Sequence, residues 1–140
     1  YIIITYIIFI LVKKLFMLRI MYVIVSLFVS ILVSNVWLLR FSKETPYRGG
    51  NAKNMREEFQ AYGLPAWSMY LVGAAKVFIA VMLIVSIWFK ELLVYNLMAL
   101  AVLMIAAVLM HIKIKDPIKK SYPALSILFM IALILYFTMA

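Results

Sequence analysis

Four long stretches of this chain are almost free of charge, and that property restricts its fold more than any other. They cover residues 18–39, 69–89, 92–112 and 124–140. Each approaches or exceeds the roughly 20 apolar residues needed to cross a hydrocarbon core about 30 Å thick. A soluble core has no room for them: 69% of the 140 residues are hydrophobic, against roughly 45–50% in soluble chains. The pattern predicts an all-α membrane protein, a bundle of four antiparallel transmembrane helices. The runs lack the alternation of barrel strands, and a helix pairs every backbone N–H and C=O within its own segment, as hydrocarbon requires.

The formal charge of +9 points to a bilayer surface and not to nucleic acid. Its basic residues flank the apolar runs and build no separate basic domain with interleaved aromatics. There is no cysteine, which removes disulfides, thiolate nucleophiles and Cys-ligated zinc or iron–sulfur clusters. With a single histidine no metal site is expected. No residue pattern calls for a cofactor, so a redox role would have to come from a bound cofactor or a partner.

Residues 1–12, YIIITYIIFILV, precede Lys13 and Lys14. They are too short to span alone, and no turn separates them from the next run. Residues 1–16 are read either as an extension of the first helix or as a segment upstream of a start at Met17, the favoured account. The membrane domain is then 17–140. No small-residue cleavage site follows the apolar run, as a signal peptide would require.

Ser26, Ser30 and Ser34 recur at intervals of four and share one helix face, where small residues allow close approach. Arg40 and Lys43 end this span. Trp37, close to that boundary, is expected to anchor the helix at the interface. The one long polar connection, 40–68, contains signals for a short helix: Asn54 and Glu57 as a cap, Met55, Phe59 and Tyr62 on one face, Gly63 as a stop and Pro65 to block continuation. It is expected to lie on the membrane surface as an interfacial helix between the first and second spans. A solvated loop with one helical turn is the alternative. Lys90 and Glu91 mark a tight turn that makes the second and third spans antiparallel neighbours. Lys and Arg number five in the first connection, one in the second and four in the third. The positive-inside rule then places the first and third connections in the cytoplasm, although Lys13, Lys14 and Arg19 argue the other way.

Lys76 lies inside the second span, where an ionised side chain costs about 2.5–3.5 kcal/mol on insertion scales and is usually functional or paired. Gly73, Lys76 and Ala80 share a face, which turns the lysine toward a neighbouring helix. Snorkelling is the other reading, since the span begins only roughly 10 Å away at 1.5 Å per residue. None of the five carboxylates lies within a span. The lysine's counter-ion must come from a connection, a partner or a ligand. Antiparallel packing brings Asn35, His111 and Asp116 to the same side of the membrane. A polar cluster of Asn35, Lys76 and His111 is expected, with Asp116 or Glu57 and Glu58 supplying negative charge.

Two motifs carry a resemblance. F-x-x-Y-G-L-P-x-W-x-x-x-x-x-G-x-x-K runs from Phe59 to Lys76, and L-M-H-x-K-x-K-D-P from Leu109 to Pro117. Together they resemble the DoxX-like family of small four-helix membrane proteins, over roughly residues 18–140. Matching positions are Tyr62, Gly63, Leu64 and Pro65 in the loop motif, with Gly73, Lys76, His111, Asp116 and Pro117. The resemblance implies a bacterial cytoplasmic membrane. Most such proteins have no assigned activity; the founding DoxX is the membrane subunit of a thiosulfate:quinone oxidoreductase, and other relatives are linked to oxidant-defence complexes. This chain looks closer to the DoxX-like branch, so the thiosulfate chemistry is not carried over.

Three functions compete on these grounds. The leading one is a noncatalytic accessory or scaffold subunit that meets a protein partner or a second copy, with Lys76 holding the bundle together or facing an acidic group. The second is a quinone-interacting subunit of an oxidoreductase, in which Lys76 or His111 binds a quinone carbonyl. The third, a small proton-coupled exporter, needs a membrane-embedded glutamate in the first helix. Residues 18–39 contain no acid.

Overall fold

The computed structural model describes residues 1–139, and all regular structure among them is helical. Helix α1 (Ile2–Ser34) continues into a wide π-helical turn, Asn35–Leu39. The short α2 (Met55–Ala61) precedes α3 (Ala66–Val85), α4 (Glu91–Lys113) and α5 (Tyr122–Met139). A 3-10 turn, Ile118–Ser121, leads into α5. The four long helices close a ring: α1 packs on α3, α3 on α4, α4 on α5 and α5 back on α1, while α2 packs on α3.

All four are long and apolar enough to cross a membrane, yet only 22 to 33% of each span's most apolar window is buried. Large apolar side chains such as Phe78, Val102 and Phe129 point outward. Hydrocarbon must cover them, so the chain is an integral membrane protein. Inside the ring, Leu93, Leu97, Leu100 and Met104 of α4 meet Val29, Val33, Leu83, Ile127 and Ile131. The alternating steps of four and three residues put one face of α4 inward.

The spans begin and end a few residues from their expected limits. Helix α3 starts directly after Pro65, whose extended backbone launches it, and Ser86–Phe89 belong to the following turn. There Ser86 Oγ donates to Met82 O at 3.0 Å and Leu83 O at 2.9 Å, and Asn96 Nδ2 of α4 reaches Met82 O at 3.1 Å. These bonds reach carbonyls of the last turn of α3, Met82 O accepting them in addition to the Ser86 N–H. The expected fourth span ended at Ala140, outside the described residues. Residues 2–16 run on into α1 without a break and lie outside the ring, with every side chain from Tyr1 to Met17 exposed.

The serine face of α1 meets α3 closely. Ser30 Oγ donates to Ala80 O at 2.9 Å, and Ser26, fully buried a turn away, has a hydroxyl without a partner among the described residues. Ser34 is half-buried and Asn35 exposed. The antiparallel order gathers the end of α1, the start of α3, the end of α4 and the start of α5 at one end of the bundle, together with α2.

Candidate functional site

Two helix ends closed by the same turn build the polar end. Helix α2 opens with Asn54 Oδ1 accepting from Glu57 N at 2.9 Å, and the Glu57 carboxylate returns to Lys53 N and Asn54 Nδ2, each at 2.7 Å. This capping box occupies Glu57 at the surface and leaves Glu58 facing inward. Gly63 (φ +74°) closes the helix: its N–H donates to Gln60 O and that of Leu64 to Phe59 O, both at 2.9 Å. That paired pattern is the Schellman turn, which needs a left-handed residue. At the end of α4 the same turn recurs with Lys115 (φ 60°) in glycine's place, Lys115 N donating to Ile112 O and Asp116 N to His111 O, both at 3.0 Å. A left-handed lysine costs roughly 1–2 kcal/mol. The turn folds Asp116 back onto its own helix, Oδ2 lying 2.8 Å from His111 Nδ1.

From that pair a hydrogen-bonded chain crosses the end of the bundle. His111 Nε2 lies 3.3 Å from the Tyr62 hydroxyl, which donates to Glu58 Oε1 at 2.9 Å. Glu58 Oε2 pairs with Arg48 Nη1 at 2.8 Å, and Gly49 N donates to Oε1 at 2.9 Å. Arg48 Nη2 also reaches the carbonyls of Arg40 at 2.6 Å and of Phe41 and Lys43 at 3.3 Å. At the other end Asp116 Oδ1 accepts from Gly50 N at 3.1 Å and pairs with Lys120 at 3.3 Å, while Lys120 also donates to Gly50 O. Lys113 Nζ donates to Tyr62 O, at the end of α2, at 2.9 Å. A Cβ at Gly49 would sit 2.6 Å from the Tyr62 ring, so only glycine lets that ring lie there.

Burial pushes the Tyr62 phenol well above its ordinary range, and the Glu58 carboxylate beside it adds to the effect. The phenol therefore keeps its proton as a donor to Glu58. For Asp116 burial works against ionisation, but bonds from His111, Gly50 and Lys120 outweigh it and hold the carboxyl below 3.8.

Lys76 stands apart from this network. It is 9% exposed and ten residues past Ala66, about 15 Å along the helix. Its Nζ sits 5.3 Å from the centre of the Trp37 ring and has no hydrogen-bond or ion-pair partner among the described residues. Trp37 itself lies across α3 at Gly73, where a Cβ would come within 2.6 Å of the indole. The tryptophan is 9% exposed, so the expected interfacial anchor is instead a packed floor beneath the lysine. The wide turn at Asn35–Leu39 carries it inward, as such local widenings often do at functional sites.

A cavity of about 410 Å³ opens between these groups, bordered by Lys76, Trp37, Glu58, Tyr62 and His111 and walled by apolar residues of α1, α4 and α5. Of the expected cluster, the fold brings His111 and Asp116 into contact and sets Lys76 and His111 on one cavity. Asn35 faces a separate crevice with Ser34. Glu58 joins the network and Glu57 does not. Arg48, Gly49 and Lys120 were not singled out in the sequence, although the Gly49-Gly50 pair marks the close approach of the loop.

The fold and site define a four-span integral membrane protein with a polar-ended cavity in its bundle. The chain belongs to the DoxX-like family, whose family model matches residues 49–134. The match includes α2 through most of α5 and every side chain of the network except Arg48. No curated protein and no solved structure matches the chain significantly.

Proposed function

We propose that the protein is a noncatalytic subunit of a membrane assembly whose bundle holds a lipid-soluble guest in the cavity beside Lys76. One observation carries the reading: a buried lysine with no protein partner among the described residues faces a cavity with apolar walls and a few convergent polar groups, the usual make-up of a small-molecule site. A lysine that only held the helices together would be paired across an interface, as Arg48 is. Its volume of about 410 Å³ falls within the roughly 300–1,000 Å³ of such sites.

The second reading, a quinone-interacting subunit, is favoured by the same donor. A lysine ammonium donates to a carbonyl oxygen, and the Trp37 and Phe59 rings offer aromatic surface. The accessory role rests on the family resemblance and on the lack of a catalytic constellation among the described residues.

Gentle extraction from native membranes followed by native mass spectrometry tests the proposal. The wild-type protein is expected to carry a bound lipophilic mass that Lys76→Met loses. A wild-type protein that emerges bare, and takes up no lipophile when offered one, would end this reading.

A further inference from the structure

We infer that the guest of this cavity is an anion: a single-chain amphiphile whose carboxylate or phosphate headgroup rests on the Lys76 ammonium beside the Trp37 ring. The inference rests on the ligand-holding reading and adds the charge and shape of the ligand.

Charge accounting around the cavity supports it. Four basic side chains and one acidic one line the space: Arg40, Arg48, Lys76, Lys120 and Glu58. Arg40 is exposed and solvated. Arg48 is matched by Glu58 and by backbone carbonyls, and Lys120 by Asp116. Both oxygens of Glu58 are engaged, by Arg48, Gly49 and Tyr62. Lys76 is left with a ring face and, without an ion pair of its own among the described residues, only the through-space field of Glu58, an acid that Arg48 already matches. A buried ammonium needs a counter-charge, because apolar surroundings do not replace the water it has lost. A neutral guest leaves that need unmet, and a cationic guest worsens it. A headgroup anion meets it with charge-assisted hydrogen bonds.

The walls specify the remainder of the molecule. Leu103, Met104, Ala107 and Ile127 offer hydrocarbon and no hydrogen-bonding side chain. The cavity lies at the small end of the range for ligand sites, which suits one alkyl chain and not the two of a bilayer phospholipid.

Trp37 supplies the reporter. In the full-length protein with Trp67→Phe and Trp88→Phe, both at exposed positions, Trp37 is the only tryptophan left. The protein is placed in neutral phosphatidylcholine nanodiscs and titrated with 2-bromodecanoate, whose bromine quenches indole on contact. Saturable quenching is expected, reversed by decanoate or decyl phosphate. The stronger of these two tells a fatty-acid source from a phosphate headgroup. Decanol is expected to compete more weakly by about tenfold or more, the scale of one charge-assisted hydrogen bond. Lys76→Met is expected to weaken quenching by a similar factor, and Lys76→Arg to retain it. Equal competition by decanol and decanoate overturns the inference, and needs no variant to read. If a decyl-substituted benzoquinone displaces the probe while decanoate does not, the anionic guest is wrong and the ligand-holding reading survives. If no probe binds, both fail.

Discussion

Two buried cations in this protein are treated in opposite ways. Arg48 is 5% exposed and has a carboxylate and three carbonyls around its guanidinium. Lys76 is 9% exposed and has the face of one indole. The residue types fit their places. A guanidinium forks to several acceptors at once, while an ammonium is a compact charge that a small ligand can meet. Arg48 belongs to a closed set of interactions that ties the first connection to α2. Lys76 belongs to an open one, whose missing member is, in the proposed reading, a guest from outside the chain.

The largest effect should come from breaking the closed set. Glu58→Ala leaves Arg48 buried without its counter-ion, and loss of one partner of a buried pair costs about 3–5 kcal/mol. Unfolding in bicelles, followed by circular dichroism, reads this loss; a change below about 1 kcal/mol would mean that the carbonyls alone hold Arg48.

Next is the far end of the same chain, where Asp116→Asn removes a charge from bonds to His111, Gly50 and Lys120. Hydrogen bonds to a charged group contribute about 1.5–3 kcal/mol each, and an amide retains part of them. The pH dependence has a definite sign. The folded carboxyl titrates below its ordinary 3.8, so its contribution is complete above that value and disappears as pH falls through the folded one. Asp116→Asn should flatten the acid limb of the stability curve; an unchanged limb would place the acid sensitivity elsewhere.

The smallest expected effect is a gain. Lys115→Gly should stabilise the protein by about 1 kcal/mol, by removing left-handed strain that a lysine bears and a glycine does not. The same substitution should leave guest binding unchanged, because Lys115 is exposed and outside the cavity.

Much of this architecture was legible in the sequence. The four apolar runs fixed the number of long helices, and Asn54, Glu57, Gly63 and Pro65 marked α2 and its ends, because caps and stops are local signals. His111 stood out as the single histidine and Asp116 as the acid that follows the same span on the side from which Lys76 is reached. Arg48 did not, because its partner Glu58 lies ten residues on, across a loop whose path no periodicity encodes. A position near the end of a span points Trp37 to the interface. Its burial depends on Gly73 of another helix, a pairing visible only once α1 and α3 pack. Lys115 gave no warning either, since a lysine rarely occupies a left-handed turn. Only its depth relates Asn35 to the expected cluster. Depth says nothing of which face a residue occupies, and its own points to a separate crevice.

The central claim is that Lys76 is held for a ligand and not for the fold. The direct measurement is the unfolding free energy of Lys76→Met beside wild type, in neutral bicelles after delipidation. Removing an unmatched cation from an apolar site should leave stability equal to wild type or above it, since an ionised lysine costs about 2.5–3.5 kcal/mol at membrane depth. A loss of about 3 kcal/mol or more, comparable to that expected for Glu58→Ala, would contradict the account and return Lys76 to the frame of the bundle.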